Sequence, residues 1–122
     1  MAKGKKYDAA RAVLDNLPPP TGEDTTYWEK NLELLEPYAA VAREQGCTMG
    51  QLALAWLLAR APHIVPIPGT TRIDHMRENL GALDVRLSPA TVERLDTLIN
   101  TRTVSGPRYN AATLPEIDTE DV

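Results

Sequence analysis

The chain has 122 residues, a net charge of −4 and a single cysteine, with a pI of about 5.1. One domain is expected at this length. The acidic balance gives no electrostatic footing for nucleic acid, and a lone Cys47 rules out an internal disulfide and fits a reducing cytoplasm.

No apolar run is long enough to span a membrane. Lys3, Lys5 and Lys6 are followed by Tyr7-Asp8 rather than by an apolar stretch, unlike a secretory signal. Phe is absent, so Leu, Ala, Val and Ile must carry most of the core, with Trp28 and Trp56 as the largest anchors. Tyr7, Ala10, Val13, Leu14 and Leu17 recur at near-helical spacing, and Pro18-Pro19-Pro20 then forces an extended segment. Residues 1–26 read as an N-terminal arm, 27–105 as the body and 106–122 as an acidic tail.

Within the body, Trp28, Leu32, Leu35 and Ala39 share a helical face. Pro37 lies inside that pattern and should kink the helix or restart it, and Gly46 is a natural stop. Thr48-Met49-Gly50-Gln51 has the form of a capping box. It opens Leu52 to Ala59, a helix apolar all the way round and so expected to be buried on more than one face. After Pro62, His63-Ile64-Val65-Pro66-Ile67 predicts a short strand, although Pro66 and Pro68 suit incomplete pairing. A helix from about Arg72 to Leu83 should turn Ile73, Met76, Leu80 and Leu83 inward. Ser88-Pro89 is a cap followed by proline at the first helical position; Val92, Leu95 and Leu98-Ile99 form the last apolar stripe.

The fold class is therefore mainly α with one or very few short strands. A lone strand leaves its backbone groups without partners. Either another chain supplies a second strand, or the segment is not a strand in this chain.

Several stretches carry a family resemblance: Asn31-Leu32-Glu33-Leu34, Gln51 to Ala59, Ile64-Val65-Pro66-Ile67-Pro68-Gly69-Thr70, and Glu78-Asn79-Leu80-Gly81-Ala82-Leu83-Asp84-Val85. From Trp28 to Thr97 the chain resembles the C-terminal part of aldo-keto reductases, whereas residues 1–26 show no such match. The resemblance implies the last quarter to third of a (β/α)8 TIM barrel, a fold that takes about 250 residues. Ile64–Ile67 would be its eighth strand, without neighbours.

The same resemblance implies that this region holds the adenosine 2′-phosphate and adenine of NADP(H). Gly69 would allow close backbone approach. Thr70 would offer a hydroxyl and an N–H at a helix start, and Arg72 a charged fork. Glu78 and Asn79 fall where the family hydrogen-bonds adenine, while His75 stands where some members place an arginine. The family's catalytic Asp, Tyr, Lys and His belong to early strands not represented here, so no catalytic residue is assigned. No metal-ligand motif is present either.

Two functional expectations stay open: a module binding the adenosine end of NADP(H), and a shortened reductase repurposed as a small helical binding or accessory protein or for a non-redox reaction in a small-molecule pathway. Leu52–Ala59 and the Ile64–Ile67 edge both need cover, which predicts a homodimer or a complementing chain.

Overall fold

The computed structural model describes residues 24–107 and residue 116. The expected helix near residues 7–16, Pro18-Pro19-Pro20, most of the acidic tail and the side chain of Trp28 lie outside the described residues. Those that are described are mostly helical and contain no strand: α1 (Asp24–Glu33), α2 (Leu35–Glu44), α3 (Met49–Arg60), α4 (Ile73–Gly81), a 3-10 turn (Ala82–Asp84) and α5 (Pro89–Leu98). None of these helices is long and apolar enough to cross a membrane.

Local chemistry sets the helix ends. Pro37 restarts the helix, standing in the first turn of α2, where a missing N–H costs nothing. Gly46 takes φ +66. Cys47 N–H donates to Ala42 O at 3.0 Å and Gly46 N–H to Arg43 O at 3.1 Å, a Schellman arrangement that satisfies the last carbonyls of α2. The capping box of α3 is complete: Thr48 Oγ1 accepts from Gln51 N–H at 3.1 Å, and Gln51 Oε1 accepts from Thr48 N–H at 3.1 Å. Ser88 Oγ accepts from Thr91 N–H at 3.1 Å and starts α5, with Pro89 at its first position.

Lys30–Ser105 form one compact unit. Its core is Val41 and Ala42 of α2, Leu52 of α3 and Leu95 of α5, flanked by Tyr38, Cys47, Trp56 and Leu87. Burial of the Cys47 thiol raises its pKa, so it stays protonated. Polar contacts fasten the same helices at the rim. Trp56 Nε1–H donates to Asp96 Oδ1 at 2.7 Å, and Arg60, whose guanidinium lies 4.8 Å from the Trp56 ring centre, donates to Asp96 Oδ2 at 2.6 Å. Arg94 of α5 forks onto Glu44 of α2. Asn31 of α1 clamps the backbone of Ser105, donating to its carbonyl at 2.9 Å and accepting from its N–H at 2.8 Å.

Three expectations are corrected. Residues 64–70 are not a strand. Pro66 and Pro68 lack N–H groups, and no described residue pairs with the Val65–Gly69 backbone. Helix α3 is buried on one face: Leu52 and Ala55 are inside, whereas Ala53, Leu58 and Ala59 are exposed. Ile73, Met76 and Leu80 of α4, together with Leu83, are exposed rather than inward. Helix α4 packs chiefly on α3 and on the 3-10 turn that follows it.

Candidate functional site

Gly69, Thr70 and Arg72 come together where the 64–70 segment turns into α4. Open space surrounds Gly69; a Cβ built there meets no atom within 4 Å. The Thr70 hydroxyl accepts from Arg72 N–H and donates to Arg72 O, each at 3.2 Å, and so fixes the turn. Arg72 is the extended N-cap residue of α4, and no side chain caps this helix. Its first turn lies at the positive end of the helix dipole, with the backbone N–H groups of Asp74 and His75 near the Asp74 carboxylate.

The Arg72 guanidinium is already engaged. It grips Asp74 with two hydrogen bonds, Nε–H to Oδ1 at 3.0 Å and Nη2–H to Oδ2 at 2.6 Å. That contact holds the Asp74 carboxyl below its ordinary range, against some opposing desolvation and with help from the backbone N–H groups of His75 and Asp74. It also raises the pKa of Arg72. An internal carboxylate thus occupies the fork at the helix start. A planar pair of anionic oxygens fits there, and Asp74 is the group that any external anion must displace. The Arg-x-Asp spacing was visible in the sequence, but nothing local told that the carboxylate would turn back toward Arg72.

Asn79 and Thr70 line one groove of about 250 Å³ between α3, the 64–70 segment and α4, with Leu54, Leu58, Val65 and Met76 among its walls. Glu78 points elsewhere. Its Oε1 accepts from the Thr48 hydroxyl at 2.6 Å, and its backbone carbonyl accepts from Gln51 Nε2–H at 2.9 Å. Thr48 and Gln51 are the two members of the α3 capping box, so one polar cluster caps α3 and ties it to α4. The structure therefore joins Gly69, Thr70 and Arg72 at the turn and brings Thr70 and Asn79 to one groove. Glu78 does not line that groove; it hydrogen-bonds Thr48 and Gln51.

A second apolar hollow, of about 290 Å³, lies between Tyr38, Ala53, Trp56, Leu57, Leu95 and Ile99. Its polar edges are satisfied internally: Tyr38 Oη–H donates to Met49 O at 3.1 Å, and Trp56 Nε1–H is held by Asp96. Among the described residues, no three His, Cys, Asp or Glu side chains converge as metal ligands would.

The sequence profile of the Aldo/keto reductase family matches residues 1–100. The match takes in the N-terminal arm, which the motif reading had placed outside the resemblance. A protein of Schizosaccharomyces pombe named aldo-keto reductase yakc, with NADP(+) specified in its name, is 48% identical over 80 residues, which is 66% of this chain and 24% of the relative. The match thus spans about a quarter of that relative's length. With residues 1–100 of 122 covered by the family profile, this chain belongs to the aldo/keto reductase family.

Proposed function

We propose that the chain supplies the adenosine-phosphate end of an NADP(H) site, with hydride transfer depending on groups outside these 122 residues. The observation that carries this reading is the uncapped start of α4, where Gly69 leaves open space and the Arg72 fork already holds two carboxylate oxygens. Arg72 would take the 2′-phosphate in place of Asp74. The Thr70 hydroxyl and the first-turn N–H groups would complete its shell. Asn79, beside Thr70 in the groove, would meet the adenine. A bound NADP(H) would supply the hydride; these residues only hold and orient it. The specification of NADP(+) in the name of the 48% identical relative supports the cofactor class.

Calorimetric titration of the full chain with NADPH, NADH and adenosine 2′,5′-bisphosphate tests this. Saturable binding of NADPH and of the bisphosphate is expected, with NADH at least tenfold weaker. Arg72→Ala should erase the difference between NADPH and NADH. Absence of saturation by NADPH up to millimolar concentration would refute the reading.

A further inference from the structure

Glu78 and Asn79 are neighbours on α4 with different surroundings. Glu78 is bonded to the start of α3: its Oε1 accepts from the Thr48 hydroxyl at 2.6 Å, and its carbonyl oxygen accepts from Gln51 Nε2–H at 2.9 Å. Among the described residues, these two hydrogen bonds are the ones that join α4 to another helix. The Gln51 amide also lies against Gly81, where a Cβ would stand 2.5 Å from Nε2. Residues three apart share a helix face, so Gln51 holds one edge of α4 at Glu78 and at Gly81.

Asn79 sits on the next edge, about 100° round the helix from Glu78. It lines the groove with Met76 and Leu83, and no hydrogen bond joins its side chain to another described residue. A half-buried amide without a bond of this kind keeps an acceptor and two donors for a ligand. That set complements the amino group and N7 of adenine.

Such a fit is sensitive to the roll of α4. Side chains reach a radius of roughly 5 Å from the helix axis, so a roll of about 20° carries the Asn79 amide about 2 Å. A hydrogen bond of ~2.9 Å does not survive that displacement. The Glu78 side chain, with several rotatable bonds, can follow a roll by changing rotamer while keeping Thr48. The Gln51 contact is made to backbone, at the Glu78 carbonyl and against Gly81, and has no such slack.

We propose that Gln51 is a positioning residue for nucleotide recognition: by holding the backbone of Glu78 and Gly81, it sets the roll of α4 that presents the Asn79 amide to adenine. The inference rests on the cofactor reading above. It adds that the adenine contact is governed from α3, by a residue outside the groove.

Gln51→Glu tests this, because a carboxylate still accepts from Thr48 N–H and caps α3 but sets an acceptor against the Glu78 carbonyl. The probes are NADPH and its hypoxanthine analogue, in which a carbonyl replaces the adenine amino group, each titrated calorimetrically into the full chain. The parent should bind NADPH at least tenfold more tightly than the analogue. In Gln51→Glu the ratio should fall below about threefold, through weaker NADPH binding, with helical circular dichroism kept. Asn79→Ala should collapse the ratio likewise, and adding Gln51→Glu to it should move NADPH affinity by less than about twofold. Gly81→Ala, which pushes the same amide aside, should also narrow the ratio and serves as the second route if Gln51→Glu loses helix. A ratio unchanged in the folded variants, or a further loss on adding Gln51→Glu to Asn79→Ala, overturns the inference and leaves the cofactor reading standing. So does a parent that binds both nucleotides equally. A parent that fails to saturate with NADPH refutes both.

Discussion

Gly81 lies so close to Gln51 that a Cβ built on it would stand 2.5 Å from Gln51 Nε2. The backbone of Gly81 is ordinary right-handed helix, with φ −61, so the glycine answers a close approach and not a turn. The Gln51 amide it admits completes the α3 capping box and reaches the Glu78 carbonyl. The absent methyl group at residue 81 is what lets α3 and α4 lock together.

Gly81→Ala should therefore destabilise the fold by about 1–2 kcal/mol, because lost capping and a displaced inter-helix hydrogen bond outweigh the ~1 kcal/mol by which alanine favours a helix. The decisive comparison is the Gln51→Ala background. There the clash is gone, and Gly81→Ala should become neutral or stabilising in urea unfolding. An equal cost in both backgrounds would show that Gln51 is not what the glycine accommodates.

Asp74 should act as a built-in competitor for the Arg72 fork. Asp74→Asn removes the charge at the helix start and leaves the guanidinium free to turn outward. On the proposed cofactor reading, affinity for NADPH rises about three- to tenfold and affinity for NADH changes little, because only the 2′-phosphate meets the fork. Calorimetric titration of both nucleotides measures the ratio. A parallel gain for NADH would mean that Asp74 acts through general repulsion rather than at Arg72.

Tyr38 should make the fold sensitive to high pH. Burial, and to a lesser extent the nearby Cys47, push its pKa up to about 12 from 10.0. The folded state thus holds this proton more tightly than the unfolded chain. Its contribution is complete below pH 10 and is lost as the pH rises through 12. Solvent screening of a partly exposed group cuts the effect to about 1 kcal/mol from the ~2.7 that the full shift would imply. Tyr38→Phe also loses the hydrogen bond to Met49 O, which costs about 1 kcal/mol at neutral pH. Between pH 9 and 11.5 the variant should then lose less stability than the parent. Parallel losses would show that other groups govern the alkaline limb.

The helix ends were legible in the sequence because their chemistry is local. Thr48 with Gln51, Ser88 with Pro89, Gly46 and Pro37 each act within a few residues, and each was found as expected. The family, too, could be read from Pro66 to Thr70 and from Glu78 to Ala82. What could not be read were the features that need a partner far along the chain. His63–Ile67 has the composition of a strand, but a strand exists only where another backbone returns its hydrogen bonds. Helix α4 has an apolar stripe, but a stripe turns inward only where a surface receives it. Glu78 has the spacing of a ligand-binding residue, but the fold brings Thr48 within 2.6 Å of it. Likewise, Asp96 shows nothing special until α5 lies beside Trp56 and Arg60. Capping, turn chemistry and ancestry were thus set by the sequence alone. Only the tertiary structure decided which side of α3 meets α4, which groups Glu78 hydrogen-bonds and what surrounds Asp96, because each depends on contacts between residues distant in the chain.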